Sequence, residues 1–392
     1  MENESVGYLD QGKGKPEMIR SASTITASSL ASLAIVCSIT VGATILAAGT
    51  SVAAEPPRVD EDGTTHLPAF SLPESSFLSD DTRAELKHAR DRGKEVVTSE
   101  NTCPSILSAD AIQAPAIRKC EADVYYRSAS YRRLHDLFHV SMTPREIGGV
   151  YTEVFTPAEG ISPKNKNRVL INVHGGGFVD GSRTTSHIES VPIASLGKIK
   201  VISVDYRQAP EFLFPAASED VAVVYRELLK IYKPKNIGIY GCSAGGLLTA
   251  EAVAWFQKEK LPLPGAIGML CEGAGYWNEG DSGYVHKTLY GGLTLEDNPY
   301  FKNTNPSDPL AFPVRSTSIM AKFPPSLLIA GTRDFALSSV VHTHSVLINQ
   351  GVEAELHVWD GLHHAFFFDP DLSQSREVYA VTVKFFETHL GY

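Results

Sequence analysis

Four short segments of the chain hold residue types that could carry out nucleophilic acyl transfer. The first is Gly241-Cys242-Ser243-Ala244-Gly245, a Gly-x-Ser-x-Gly that directly follows the apolar run Asn236 to Tyr240 (NIGIY) and opens a helix-like segment. A sharp strand-to-helix turn presents a serine hydroxyl at a helix N-terminus, where the dipole favours developing negative charge. The second is His174-Gly175-Gly176-Gly177, which ends another apolar run. A tetrahedral oxyanion must be held by preorganised N–H donors, and a glycine run offers them with no side chains in the way. Gly175 and Gly176 are the expected donors, with the amide of Ala244 as a third; His174 is read as supporting the loop. A serine also needs a base, and the base an orienting acid. In strand–turn–helix sites of this kind both follow the serine in the order acid, then base. Asp334 follows SLLIA through Gly331-Thr332-Arg333, and His364 follows the last strand-like run through Asp360-Gly361-Leu362-His363. Asp360 rivals Asp334 as the acid, and His363 rivals His364 as the base.

These residues need a scaffold, and the chain supplies one from about Ile147 onward. Val150 to Phe155 alternates as a strand does. Short apolar runs follow at Arg168–Val173, Lys200–Val204, Asn236–Tyr240, Ala266–Leu270, Ser326–Ala330 and Ala354–Val358. Helix-like segments such as Ala217–Tyr232 and Ala244–Lys258 separate them. Apolar strands alternating with helices indicate a mostly parallel sheet covered on both faces. Working residues then sit on loops at the carboxyl ends of strands, and each segment above falls at such an end. Upstream, a helix is expected from Ser79 through Lys94, with Ser79 or Asp80 as its N-cap. Further helices are expected over 104–140, where Tyr125, Tyr126, Tyr131 and Phe138 either line a substrate lid or simply pack.

The 392 residues are 43% hydrophobic and 20% charged, ordinary for a protein that buries a sizeable core. A net charge of -10 with no basic stripe argues against a nucleic-acid partner. Residues 25–54 carry no charge, are preceded by Arg20 and end in Val52-Ala53-Ala54. Small residues at that exit point to a cleaved export signal and a secreted or periplasmic protein, with Met1 or Met18 as the start. A retained membrane anchor is the competing reading. Past that segment, Cys103, Cys120, Cys242 and Cys271 permit a Cys103–Cys120 bridge in an oxidising compartment, or four thiols. No Cys-x-x-Cys or His/Cys cluster suggests a metal.

Taken together, the motifs resemble those of the hormone-sensitive-lipase-like carboxylesterases of the α/β-hydrolase superfamily, over roughly Ile147 to the C-terminus. His174–Phe178 resembles HGGGF, Asp205–Glu211 DYRLAPE, Phe214–Ala217 with Asp220 FPAA..D, and Gly241–Gly246 GDSAGG. Asp334 is similar to the acid of G..DPL, and His364-Ala365-Phe366 to HGF, which selects His364 over His363. The chain departs from these patterns at Cys242 (an acid in the family), Phe335 (Pro) and Ala365 (Gly); a thiol at Cys242 suggests modification as a route to inactivation. The resemblance implies an α/β-hydrolase fold whose mostly parallel sheet is flanked by helices and carries an N-terminal helical cap. With the export segment (1–54) and a linker or arm rich in Pro, Ser and Asp (55–78) set apart by composition, it makes residues 79–145 the cap and 146–392 the catalytic domain. It implies hydrolysis of short- to medium-chain acyl esters by Ser243, His364 and Asp334 through an acyl-enzyme, with no cofactor or metal. The expected partner is a small-molecule ester, or a lactone opened by the same machinery; a membrane enters only if the N-terminal segment is retained. A non-enzymatic small-molecule receptor on the same fold is the alternative from another class, and it would typically lack the base.

Overall fold

A computed structural model of the chain describes residues 56–92, 102–276, 279–290 and 298–391. The expected export segment lies outside them. Two compact units divide at Ser71/Leu72. In the described part of the first, Arg58–Val59 pairs antiparallel with Thr65–His66.

The second unit, Leu72–Tyr392, is built on one eight-stranded sheet. Its strands are β1 (Val140–Ile147), β2 (Val150–Pro157), β3 (Val169–Asn172), β4 (Lys200–Val204), β5 (Ile237–Cys242), β6 (Ala266–Leu270), β7 (Ser326–Arg333) and β8 (Ala354–His363). Their order is β8-β7-β6-β5-β3-β4-β2-β1. The six strands from β8 to β4 are parallel, whereas β2 joins β4 antiparallel and β1 forms a hairpin with it. Every residue of β3, β5 and β6 is buried, as expected of strands covered on both faces. The strand β1 begins inside the span expected to be cap. Its sequence VSMTPREI is mostly exposed and holds Pro144, so it gives no alternating signal; an edge strand tolerates both features.

The helices are α1 (Asp80–Arg92), α2 (Ala114–Arg127), α3 (Ala129–Leu137), α4 (Thr185–Gly197), α5 (Ala216–Leu228), α6 (Ala244–Lys258), α7 (Asp281–Tyr290), α8 (Thr317–Met320), α9 (Leu337–Asn349) and α10 (Ser373–His389). Ser79 caps α1, its hydroxyl accepting the Thr82 N–H at 3.2 Å. Residues 72–78, expected to be linker, belong to the second unit and pack onto it: Leu78 is buried and Arg333 donates to the Pro73 carbonyl at 2.5 Å. The helix α6 is apolar nearly all round and buried from Ala244 to Phe256, so it is held between the sheet and α5. The helices α2 and α3 dock through an aromatic cluster. Tyr125, Tyr126 and Tyr131 surround the ring of His187, with centroids 5.4–6.2 Å from it, and Phe138 packs edge-on to Tyr379. These rings therefore pack α2 and α3 down. A Cys103–Cys120 disulfide ties the segment before α2 to its second turn.

Candidate active site

Strand register sets Ser243, Asp334 and His364 at the carboxyl ends of neighbouring strands and joins Asp334 to His364, with no hydrogen bond from Ser243 to the imidazole. In the parallel pair β5/β6, Cys242 lies opposite Leu270, so Ser243 and Cys271 leave the sheet side by side. At the other end, β7 and β8 shift register between Trp359 and His363, and pairing resumes with His363 opposite Arg333. The residues that follow are Asp334 and His364. The bulge thus places acid and base on adjacent strand ends, about 5 Å apart in backbone terms.

Ser243 occupies the turn between β5 and α6 with φ 59° and ψ -125°, a conformation costly for a side-chain-bearing residue. Its N–H donates to the Leu270 carbonyl at 2.8 Å. The flanking glycines are needed because the end of β3 crosses here: a Cβ on Gly241 or Gly245 would sit 1.9 or 1.8 Å from the Val173 carbonyl oxygen. His364 Nδ1 donates to Asp334 Oδ1 at 2.7 Å, and the same oxygen accepts the Ala336 N–H at 2.9 Å. Asp334 is buried, and His364 Nε2 is buried with no hydrogen-bond partner among the described residues. Of the rivals, Asp360 faces Ser75 and Thr332, and His363 is exposed with its Nδ1 against the His364 carbonyl. Of these candidates, Asp334 and His364 are the carboxylate and imidazole that bond each other.

The three departures have distinct consequences. Phe335 stacks on the His364 ring at 4.1 Å, closing one face of the imidazole. Ala365 adopts a left-handed φ of 53°, the conformation that a glycine takes freely, and its N–H donates to Cys271 Sγ at 3.3 Å. Cys242 and Cys271 are free and wholly buried. Burial pushes the Cys242 thiol well above its usual range, so it stays protonated and shielded, contrary to the expected route of modification. Among the described residues, Cys271, Asp334 and His364 are also the one group with His, Cys and carboxylate ligand atoms close enough for a metal, within 4.8 Å of one another. Two of the three already bond each other.

The glycine loop requires one correction. The Gly175 N–H points away from solvent and donates to Glu189 Oε1 at 2.8 Å, so it is spent and cannot also receive an oxyanion. That leaves Gly176 and Ala244 of the three expected donors, with Gly177 next along the loop. His174 behaves as expected: it is fully buried, hydrogen-bonds the Gly175 carbonyl at 2.9 Å and stacks on Tyr206 at 4.4 Å, whose hydroxyl donates to the His174 carbonyl. Burial holds its imidazole below the ordinary histidine range, hence neutral. Asn298 donates to the Gly177 carbonyl at 2.8 Å. The helix α2 joins this loop through Arg118, which donates to Val179 O (2.7 Å), Ala209 O (2.9 Å) and both oxygens of Glu211.

Glu189 escaped the sequence reading. It lies on α4 and is 4% exposed. Its Oε2 accepts from Asn172 Nδ2 at 2.8 Å and the Cys242 N–H at 3.2 Å, beside the Gly175 bond on Oε1. Burial pushes the carboxyl up to about 8, against the pull of those three donors; every group that faces its two oxygens is an N–H donor, so the ionised form is the one this geometry accommodates. The signal available in the sequence was a single acid in a helix that is otherwise uncharged apart from His187.

A parallel α/β sheet with a strained serine at a strand–helix turn and an acid–histidine pair beyond it defines a class of hydrolases, and the comparisons agree. A family model described as the alpha/beta hydrolase fold matches residues 170–368. An acetyl-hydrolase of Streptomyces hygroscopicus is 27% identical over 278 residues, covering 69% of this chain and 91% of its own length. A versiconal hemiacetal acetate esterase of Emericella nidulans is 36% identical over 100 residues, 26% of this chain and 34% of that relative. Among solved structures, an esterase E25 superposes with a TM-score of 0.69 at 29% identity, covering 83% of this chain and 98% of its own. An esterase of the bacterial hormone-sensitive lipase family gives 0.64 at 25% identity, over 80% and 99%. The chain belongs to the hormone-sensitive-lipase-like carboxylesterases of the α/β-hydrolase superfamily and hydrolyses carboxylic esters.

Proposed function

We propose that the protein is a serine esterase in which Ser243, His364 and Asp334 form the catalytic triad and short-chain acyl esters are the preferred substrates. The observation that carries this reading is the 2.7 Å hydrogen bond from His364 Nδ1 to buried Asp334, which leaves Nε2 as the unprotonated nitrogen, without a partner among the described residues. Ser243 Oγ attacks the ester carbonyl as Nε2 takes its proton. The oxyanion is held by the amides of Gly176, Gly177 and Ala244, and His364 then protonates the departing alcohol to leave an acyl-enzyme. Water attacks that acyl carbonyl by the same route in reverse roles, releasing the acid and restoring the serine. The relatives named for acetyl groups support the preference for short acyl chains. The protein is exported in this reading. A disulfide at Cys103–Cys120 is of the kind that persists outside the reducing cytosol, which supports that placement.

The test compares the full chain with Ser243→Ala on p-nitrophenyl esters from acetyl to dodecanoyl. Acetyl and butyryl esters are expected to turn over fastest, and Ser243→Ala to lose about 10⁴-fold or more in kcat. Comparable rates in the two proteins would refute the nucleophile; a maximum at dodecanoyl would refute the acyl preference alone.

A further inference from the structure

We infer that Glu189 is a positioning residue for ester hydrolysis, gripping the glycine loop and the nucleophile turn with a single carboxylate so that their oxyanion donors stay aligned. This rests on the roles given above to Ser243 and the loop amides.

The geometry is unusual in where it is anchored. Oε1 holds the N–H of Gly175, the residue directly before Gly176, and Oε2 holds the N–H of Cys242, the residue directly before Ser243. The two halves of the oxyanion site come from different strand ends, β3 and β5; the first is tied one residue before Gly176 and the second two residues before Ala244. The carboxylate is itself fixed from the far side. Ser203 of β4 donates to Asn172 Oδ1 at 2.7 Å, and Asn172 Nδ2 donates to Glu189 Oε2 at 2.8 Å. Ser203, Asn172 and Glu189 are all buried. The chain of contacts therefore runs across three adjacent strands to the loop and the turn.

Packing alone does not explain an acid here, because an apolar side chain would fill the site without the cost of desolvating a carboxyl group. Its job is matched to the donors it meets, since two oxygens accept three N–H groups. The loop and turn are also in close contact, so a small rotation of one would be felt by the other: a Cβ added at Gly175 would lie 2.7 Å from the Cys242 carbonyl and 3.4 Å from Ser243 Cβ. Hydrogen-bond donors aimed at a developing charge lose their effect when displaced by a fraction of an ångström.

The decisive variant is Glu189→Gln, which keeps size and shape but turns one acceptor oxygen into an NH₂ facing an N–H donor. With p-nitrophenyl acetate and the full chain, kcat is expected to fall about ten- to hundredfold, with KM within about threefold of wild type. Inhibition by a trifluoromethyl ketone, whose serine adduct carries an oxyanion, is expected to weaken by the same factor. Glu189→Asp should recover part of the loss. A folded Glu189→Gln protein with kcat and inhibitor affinity within about twofold of wild type overturns the proposal, as does a loss confined to KM. If Glu189→Gln does not fold, Asn172→Ala decides. It removes one donor to the carboxylate and leaves both backbone bonds, so a smaller fall in kcat at constant KM supports the role and an unchanged kcat overturns it. Ser243→Ala runs alongside. Activity surviving there refutes the nucleophile, whereas a dead Ser243→Ala beside a fully active Glu189→Gln refutes only the role of Glu189.

Discussion

Replacing Asp334 by Asn tests the acid–base pair directly, and the structure sets the size of the effect. Asp334 Oδ1 accepts two N–H groups, His364 Nδ1 at 2.7 Å and Ala336 N at 2.9 Å. An asparagine can keep its carbonyl oxygen there, in which case the imidazole tautomer survives. What is lost is the negative charge facing the imidazolium that forms as Ser243 gives up its proton. Two unit charges about 4 Å apart at an effective dielectric of about 20 interact by about 4 kcal/mol, equivalent to about 10³ in rate. If the amide flips, its NH₂ opposes both donors, the imidazole is forced into the other tautomer, and a loss of about 10⁴ is expected. The predicted fall in kcat is therefore about 10³- to 10⁴-fold with KM little changed, read from steady-state hydrolysis of p-nitrophenyl butyrate after active-site titration. Asp360→Asn serves as the comparison, because Asp360 bonds Thr332 and Ser75 and does not reach the imidazole. Retention of more than a tenth of wild-type kcat in Asp334→Asn, or an equal fall in Asp360→Asn, would refute the pairing.

Two further outcomes concern stability. Breaking the bridge with Cys103→Ser and Cys120→Ser frees a loop spanned by a sequence separation of 17. About 3 kcal/mol is the expected loss on loop-entropy grounds, visible as a lower urea midpoint; an unchanged midpoint would show that the bridge constrains nothing. Glu121 of α2 has its carboxyl raised from 4.5 to about 7 by burial and then by the nearby Asp180 carboxylate. A folded-state pKa above the unfolded one means that its contribution is present below about pH 4.5 and is lost as pH rises through about 7. Wild type should accordingly lose stability relative to Glu121→Gln between pH 5 and 8 in chemical unfolding, and a slope of the opposite sign would rule the linkage out.

The sequence by itself determined whatever depends on local periodicity or on what a backbone can tolerate. The runs Lys200–Val204 and Ala266–Leu270 and the helix Ala244–Lys258 lie where apolar patterning puts them. Gly241 and Gly245 announce a turn that only glycines fit, with Ser243 between them. The resemblance to HGF selected His364, and its hydrogen bond to Asp334 agrees with that choice. The strand β1 was hidden because an exposed edge with a proline carries no alternation. The Cys103–Cys120 pairing could not be chosen from spacing, since the alternatives differ only in how helices pack. What the tertiary structure alone decided was direction and company. It turned the Gly175 amide inward, brought the carboxylate of Glu189 from α4 to meet it, and used a bulge in β8 to set His364 beside Asp334. The physical reason is that a glycine run advertises available N–H groups without saying which way each one points. That direction is fixed by an acceptor arriving from another element, and a lone Glu in an apolar helix reveals its partners only once the strands beside it are in register.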